Sequence, residues 1–599
     1  MYCISDVKKM NIAQLNDAAR EIREELVRAT DQNGGHLASN LGTVELTLAL
    51  HCVFDSPRDK MVFDVGHQAY THKLLTGRSL EGMRHANGVS GFPDFNESEH
   101  DPFIVGHSAT AVSTALGLAR ARDIKDEDFH IIAVVGDGAF GGGMNLEAVN
   151  DLGFNPTRLI IVLNDNGMSI SRNVGALSRH MLKLRTAKGY VGFKKGMERF
   201  LKGLPCGNFI FKAALNVKNF FRRMLIGTTV FDNMGIKFIG SVDGHNIPEL
   251  KNILQRAKEE TVPVLVQIRT LKGKGAEKAE NDPVAYHGVA SALANGKKEK
   301  TFTKSFGAFL TDMARENEKI CAITAGMTDS TGLRAFADAH HDRFFDVGIA
   351  EQHAFGLAAG LAKGGMRPVV AIYSTFLQRG ADQIFHDIAL QRLPVVMCID
   401  RAGFVGQDGQ THQGAYDIAI LRAQGIKIMA PADPYQLKQM LNYAFTLDVP
   451  CAIRYPKGGG CCLPQCELVP DRWQSVKKGE DCIIVTFGAL LSQALEAAGL
   501  LEAEGISVEV VNACFLAPDA QYIKDITANS LFVLEDNAYA GGLAEAIAGL
   551  VQNNESIKHF ASVSGEAGFN IHDDVFAQLK AAGLDAASIA ELVKNTVRT

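Results

Sequence analysis

The stretch HIIAVVGDGAFGGGMNLEAV, residues 130–149, decides the reading of the fold. Its apolar run, Ile131 to Val135, enters a glycine cluster, and a helix-like pattern follows. Continuous rather than alternating apolarity predicts a strand buried on both faces, hence a parallel sheet covered by helices. Gly136, Gly138 and Gly141 satisfy G-x-G-x-x-G, the spacing of a dinucleotide cradle, but Asp137 stands among them. A dinucleotide fold needs an acidic residue at the end of the next strand to hold the ribose hydroxyls. The next apolar run, LIIVL at 159–163, ends instead in NDNGMSIS. Asp137 and Asn166, 29 residues apart, then each lie at the C-terminal end of a strand in one sheet, where open α/β sheets bind ligands. A carboxylate and a carboxamide oxygen converging there suit a hard cation such as Mg²⁺, which takes its other ligands from phosphate and water. The glycines let the backbone approach a diphosphate closely.

The same kind of run recurs as PVLVQI at 263–268, PVVAIY at 368–373 and PVVMCI at 394–399. Longer helical patterns separate the runs, so the expected class is α/β with mainly parallel sheets. Polar LANGKKEKT at 293–301 reads as a linker. A second break lies between PKGGG at 456–460 and VKKGED at 476–481, and beyond it the chain reads strand–helix–strand. Three domains are expected: 1–295, 296–470 and 471–599. With 599 residues, 46% apolar and 21% charged, there is material for several cores. A net charge of −6 argues against a general nucleic-acid binder. No apolar run has the roughly 18–20 residues of a spanning helix, and MYCISDVKKMN at the start does not have the form of a signal peptide. Eleven scattered cysteines read as reduced thiols of a cytoplasmic protein. Cys461, Cys462 and Cys466 cluster without a second group that would complete a zinc site. Residues 183–223 carry eleven Lys/Arg and one acid, Glu198. Such a segment can lie on a membrane surface, but a surface insertion is the preferred reading, since nothing else points to a membrane.

The pair G-D-G…N-D-N resembles the diphosphate anchor of thiamine diphosphate enzymes. That resemblance implies Mg²⁺ held by the side chains of Asp137 and Asn166 and the carbonyl of Met168. The second half supplies FDVGIAEQHAFGLAAGLA and YSTFLQRGADQ, which place Glu351 at the start of a helix. Thiamine chemistry needs a carboxylate beside the pyrimidine N1′ so that the C2 proton can leave. GGHLASNLGTVELTLALH, DVGHQAYTHKLLTGR, GHSATAVSTALG, FIGSVDGHN, IDRAGFVGQDGQTHQGAYD and AIRYPKG narrow the match, dense from about residue 15 to 457. The chain resembles the 1-deoxy-D-xylulose-5-phosphate synthases. They are transketolase-like homodimers of three domains that condense pyruvate with glyceraldehyde 3-phosphate, release CO₂ and feed isoprenoid, thiamine and pyridoxal synthesis. Their active site lies between the first two domains of one chain. Carried over by position, His67, Ser108, Ala109, Thr110, Gly138, Ala139, Asn166, Lys272, Ile349 and Glu351 would contact the cofactor, and Phe376 would stack on its pyrimidine. His36, His412 and Asp408 would line the substrate cavity as catalytic residues. Tyr373, Arg401 and Arg454 would hold the aldehyde's phosphate, a role that suits the fork of arginine.

Five departures stand out. Phe95 replaces a basic residue implicated in sensing the donor carboxylate, and His100 replaces a tyrosine. Gly167 stands where the family has an acid, and Cys514 and Ala517 stand where it has cations. Two other readings therefore stay open: a relative using another 2-oxo acid or acceptor, and a non-catalytic, cofactor-binding regulator.

Overall fold

The computed structural model describes residues 2–168, 229–290, 301–460 and 467–598. The basic segment 183–223 and the cysteines 461, 462 and 466 lie outside the described residues. The chain divides into two compact units, the first ending near residue 292 and the second running from there to the C-terminus; the short piece Gly82–Ser90 belongs to the second.

The first unit is built on a five-stranded sheet: β1 (Lys60–Phe63), β2 (Ile131–Gly136), β3 (Ile160–Asp165), β4 (Lys237–Asp243) and β5 (Val264–Arg269). The strand order is β1-β2-β3-β5-β4, and every pairing is parallel. The opening stretch is the inner strand β2, as its continuous apolarity implied, with Ile131 to Val135 all buried. Removing such side chains from water stabilises by about 1.5–3 kcal/mol each. Helix α1 (Ile12–Asn33) starts with a capping box in which Asn11 accepts from Gln14 N and Gln14 reaches back to Asn11 N. Helix α2 (Val44–Val53) is buried almost throughout, and α3 (Ala111–Ile124) packs on β2.

The second unit holds two sheets. One has the order β10-β11-β9-β8-β6-β7, from β6 (Ile320–Thr324), β7 (Phe344–Asp346), β8 (Arg367–Tyr373), β9 (Val396–Asp400), β10 (Lys427–Met429) and β11 (Cys451–Arg454). It is wholly parallel. The other runs β12-β14-β13-β15-β16, from β12 (Gln474–Lys477), β13 (Cys482–Thr486), β14 (Val508–Asn512), β15 (Ser530–Leu534) and β16 (His559–Val563). Only β12 is antiparallel there. One apolar cluster runs from Ile372 and Ile399 in the first of these sheets to Val485 and Val533 in the second. The fold is thus α/β with mainly parallel sheets, as expected. Among the described residues, no helix is long and apolar enough to cross a membrane, and the cysteines Cys3, Cys52, Cys321, Cys398, Cys451, Cys482 and Cys514 are free thiols.

Candidate active site

In the first unit the chemistry-bearing residues sit where the parallel strands end. Asp137 follows β2, and its carboxylate accepts from Gly138 N at 3.1 Å and Gly167 N at 2.7 Å. Gly167 has φ +76°, a conformation that suits glycine, so the change from the family's acid fits the backbone here. Asn164 and Asp165 brace the sheet: Thr270 Oγ1 donates to Asn164 at 2.6 Å and Gln267 Nε2 to Asp165 at 2.7 Å. Asn166 leaves the strand, and its side-chain oxygen accepts from Met168 N at 3.0 Å. Burial first, and then the neighbouring Asp165 carboxylate, push the Asp137 carboxyl up to about 8. Two acids crowded in a dry site favour a cation between them and a ligand.

The glycine cluster supports the same use. Gly136 has an ordinary φ of −73°, and a Cβ there meets nothing within 4 Å; at Gly141 it meets only the Gly138 carbonyl, at 3.9 Å. Neither backbone strain nor packing among the described residues requires glycine at these positions, which leaves room for a ligand's approach. Among the described residues no three His, Cys, Asp or Glu side chains converge as a self-sufficient metal site. The donors at Asp137, Asn166 and the Met168 carbonyl suit an ion that brings phosphate oxygens and water of its own.

Lys272 follows β5 and is buried. Loss of hydration lowers its ammonium to about 8, against the opposing pull of Asp137. Loss of hydration likewise holds His67 and His287 well below the usual imidazole range. The rings of His36, His67 and His287 meet with centroids 5.4–5.6 Å apart. Asn40 ties two of them together, donating to the carbonyls of His36 at 2.6 Å and His67 at 2.8 Å. Nδ1 of His67 is buried with no hydrogen-bond partner among the described residues.

Ser108, Ala109 and Thr110 precede α3, and the backbone amides of Ala109 and Thr110 donate to buried Asp64 at 3.0 and 3.1 Å. Any cofactor contact from this turn therefore falls to its side chains and carbonyls rather than these amides. Val65 has φ +62° and Ala109 φ +63°; such conformations cost on the order of 1–3 kcal/mol and cluster at functional sites. Neither Asp64, Asn40 nor His287 was singled out in the sequence. HGV at 287–289 was the available signal for the last, since Gly35 and Val289 form a bridge that brings His287 beside His36.

Phe95 is 55% exposed. It sits in a tight turn where Asp94 N donates to Asp101 at 2.9 Å and Asn96 N to Asp94 at 2.8 Å. His100, in place of the family's tyrosine, bonds Ser56 Oγ at 2.8 Å.

In the second unit, Asp346 at the end of β7 accepts from Gly326 N and Gly348 N at 2.8 and 2.9 Å. That shapes the turn carrying half-buried Ile349 into helix α4 (Glu351–Lys363). Glu351 is buried, and Arg379 stands 3.4 Å from it. Burial raises the Glu351 carboxyl above its ordinary value, and Arg379 pulls the other way. Phe376 stacks on Tyr373 at 5.7 Å and meets the edge of His412 at 5.9 Å. The guanidinium of Arg401 lies 3.9 Å over the Tyr373 ring, on a backbone with φ +58°. Asp408 is paired with Arg84 at 2.6 Å and Lys457 at 3.4 Å. Burial works to raise its carboxyl, but the cations Lys457 and Arg84 outweigh that and hold it well below the usual range.

Arg454, expected at the acceptor's phosphate, is paired with carboxylates of its own chain. It is 3% exposed, and it donates to Asp417 at 2.9 Å and Asp536 at 3.0 Å. Its Nε and Nη1 are held by two carboxylates, one of them following β15 in the neighbouring sheet, while Nη2 is buried with no hydrogen-bond partner among the described residues. Lys457, three residues on and 42% exposed, is the more accessible cation of this motif, and the motif itself did not single it out. Cys514 is buried, and the carbonyl of Ala517 accepts from Trp473 Nε1 at 3.2 Å. Cys514 thus takes a core position where the family has a cation, while Ala517 is exposed and is held only through its backbone carbonyl.

Comparison with known proteins matches residues 2–270 to a 1-deoxy-D-xylulose-5-phosphate synthase family model. Residues 298–460 match the transketolase pyrimidine-binding domain and 471–589 the transketolase C-terminal domain. The 1-deoxy-D-xylulose-5-phosphate synthase of Clostridium tetani is 43% identical over 98% of both chains. That of Heliobacterium modesticaldum is 46% identical over 91% of this chain and 87% of its own. Solved transketolases from Campylobacter jejuni and Leishmania mexicana align over 98% of this chain at 17% and 16% identity, each with a TM-score of 0.44.

Proposed function

Because the chain belongs to the 1-deoxy-D-xylulose-5-phosphate synthase family, we propose that it condenses pyruvate with glyceraldehyde 3-phosphate, releasing CO₂ and forming 1-deoxy-D-xylulose 5-phosphate for isoprenoid synthesis. Thiamine diphosphate, when bound, supplies an acidic C2 carbon and an electron sink for decarboxylation. The observation that carries the cofactor reading is a set of groups in the first unit: the crowded Asp137 carboxyl after β2, buried Lys272 after β5, and the imidazoles of His67 and His287, whose rings meet at 5.4 Å. In this reading Asp137, Asn166 and the Met168 carbonyl hold Mg²⁺. Lys272 neutralises the diphosphate, while Gly138, Ala139 and the Ser108–Thr110 turn shape its bed. Glu351 holds a proton at the pyrimidine N1′, with Ile349 and Phe376 against the ring. Neutral His67 and His287, with His36, donate or accept protons around the reacting carbons. His412 and Asp408 face the acceptor's hydroxyl and carbonyl oxygens.

Tyr373, Arg401 and Lys457 bind the acceptor's phosphate, and Arg454 holds the two sheets of its unit together. The two arginines should therefore fail differently. Arg401→Ala should raise KM for glyceraldehyde 3-phosphate by about 10–100-fold, the worth of one charge-assisted hydrogen bond, with little change in melting temperature. Arg454→Ala leaves Asp417 and Asp536 without their cation and should cost about 3–5 kcal/mol of stability. Thermal unfolding beside acceptor titrations checks both; a stable Arg454→Ala protein with a large KM increase would return the phosphate to Arg454.

The identity of the relatives favours pyruvate over another donor, and the retention of Glu351, Asp137 and Asn166 favours an enzyme over a regulator. Phe95 bears on timing. An arginine there would pair with the donor's carboxylate and delay CO₂ loss until the acceptor arrives; exposed Phe95 offers no charge. CO₂ release from pyruvate alone is expected at a rate comparable to that with acceptor, and Phe95→Arg should make it more acceptor-dependent. Stopped-flow measurement of CO₂ tests this, and a native protein that holds pyruvate intact until the aldehyde is added defeats it. Boundaries near 295 and 470 are supported by the three sheets and the matched ranges, and a cytoplasmic homodimer is supported by the resemblance.

A further inference from the structure

Lys272 lies on a short turn after β5, and that turn is gripped from both sides. The amide of Leu271 donates to His245 Nε2 at 2.9 Å. Since a backbone amide can only donate, Nε2 accepts, and the ring proton sits on Nδ1. Nδ1 lies 3.1 Å from Glu45 Oε2 and donates to it. The same oxygen receives Arg23 Nη2 at 2.6 Å, and Arg23 Nε donates to the carbonyl of Lys274 at 2.9 Å. The amide before Lys272 and the carbonyl two residues after it are therefore tied through one carboxylate on α2. Burial works to raise that carboxylate, but hydrogen bonds from His245 and Arg23 outweigh it and hold Glu45 at about 2. Two glycines complete the clamp. Gly273 has φ +83° and donates to Ala38 O at 2.8 Å. A Cβ on Gly42 would stand 3.0 Å from the Leu271 carbonyl.

We propose that His245, Glu45 and Arg23 are positioning residues for Lys272, holding its turn so that the ammonium is presented beside Asp137 to the cofactor's diphosphate. The proposal rests on the reading of Lys272 given above. None of the three touches the reacting atoms. They act by fixing the backbone on either side of a long, flexible side chain whose free rotamers would otherwise have to be frozen on binding.

Two substitutions at one position separate the network from mere packing. His245→Asn keeps an amide near the Nδ1 position, facing Glu45, but falls short of Leu271. His245→Gln reaches the Nε2 position and can accept from the Leu271 amide again. Hydrogen exchange of residues 271–276 in the cofactor-free protein reads the turn, and titration with thiamine diphosphate and Mg²⁺ reads its consequence. The Asn variant is expected to exchange faster there and to bind the cofactor about tenfold more weakly, the effect of one hydrogen bond, with KM for pyruvate unchanged. The Gln variant is expected to restore both. An Asn variant that exchanges and binds like the native protein overturns the proposal. Lys272→Met is the control. If it loses cofactor affinity while His245→Asn does not, positioning fails and the role of Lys272 stands. If Lys272→Met binds normally, the reading of Lys272 fails first.

Discussion

Glu351→Ala is expected to bind thiamine diphosphate and Mg²⁺ yet to exchange the cofactor's C2 proton about 10²–10⁴-fold more slowly, the usual contribution of a positioned acid–base group. On the proposed reading the two properties separate, because Glu351 would serve the pyrimidine end of the cofactor and the Asp137 set the diphosphate end. Its environment suits the task. The carboxyl is buried at the first residue of α4 and raised by that burial, and Arg379 at 3.4 Å opposes the rise. A carboxyl in that balance can share a proton with a ring nitrogen instead of staying a fully solvated anion. Proton exchange followed by NMR after acid quench decides it. A near-native exchange rate in the variant would remove Glu351 from the mechanism.

Asp137→Ala is expected to abolish Mg²⁺-dependent cofactor binding. On the proposed reading the metal would lose its anionic ligand and the diphosphate the ion that neutralises it, and the amides of Gly138 and Gly167 lose their shared acceptor. The loss should exceed the roughly 10–100-fold typical of a residue that only supports a metal ligand. Calorimetric titration at fixed Mg²⁺ checks it, and unchanged affinity would dissolve the diphosphate-anchor reading.

Much of the fold is legible in the amino acids alone, and so are the residues of the proposed diphosphate site. The run Ile131–Val135 announces an inner parallel strand because burial on both faces leaves no polar alternation. Its end announces a site because Asp137 stands where a strand meets a glycine cluster. Residues whose meaning depends on distant partners are not legible in this way. Asp64 looks like any acid after a strand until the turn at 108–110 arrives to be capped. Arg454 sits in a phosphate-like motif, yet Asp417 and Asp536, 37 and 82 residues away, claim its charge. Lys457 and Arg84 acquire significance only by meeting at Asp408. Periodicity reports which face of an element is buried; it does not report which charge will be waiting there.

The most direct test of the central claim follows carbon. The protein is incubated with thiamine diphosphate, Mg²⁺, glyceraldehyde 3-phosphate and pyruvate labelled with carbon-13 at C2, and the products are read by NMR and mass. The account predicts that the label appears at the carbonyl carbon of 1-deoxy-D-xylulose 5-phosphate, with at least one CO₂ released per molecule formed. Label left in pyruvate, or carried only into products lacking the aldehyde's carbons, would contradict it.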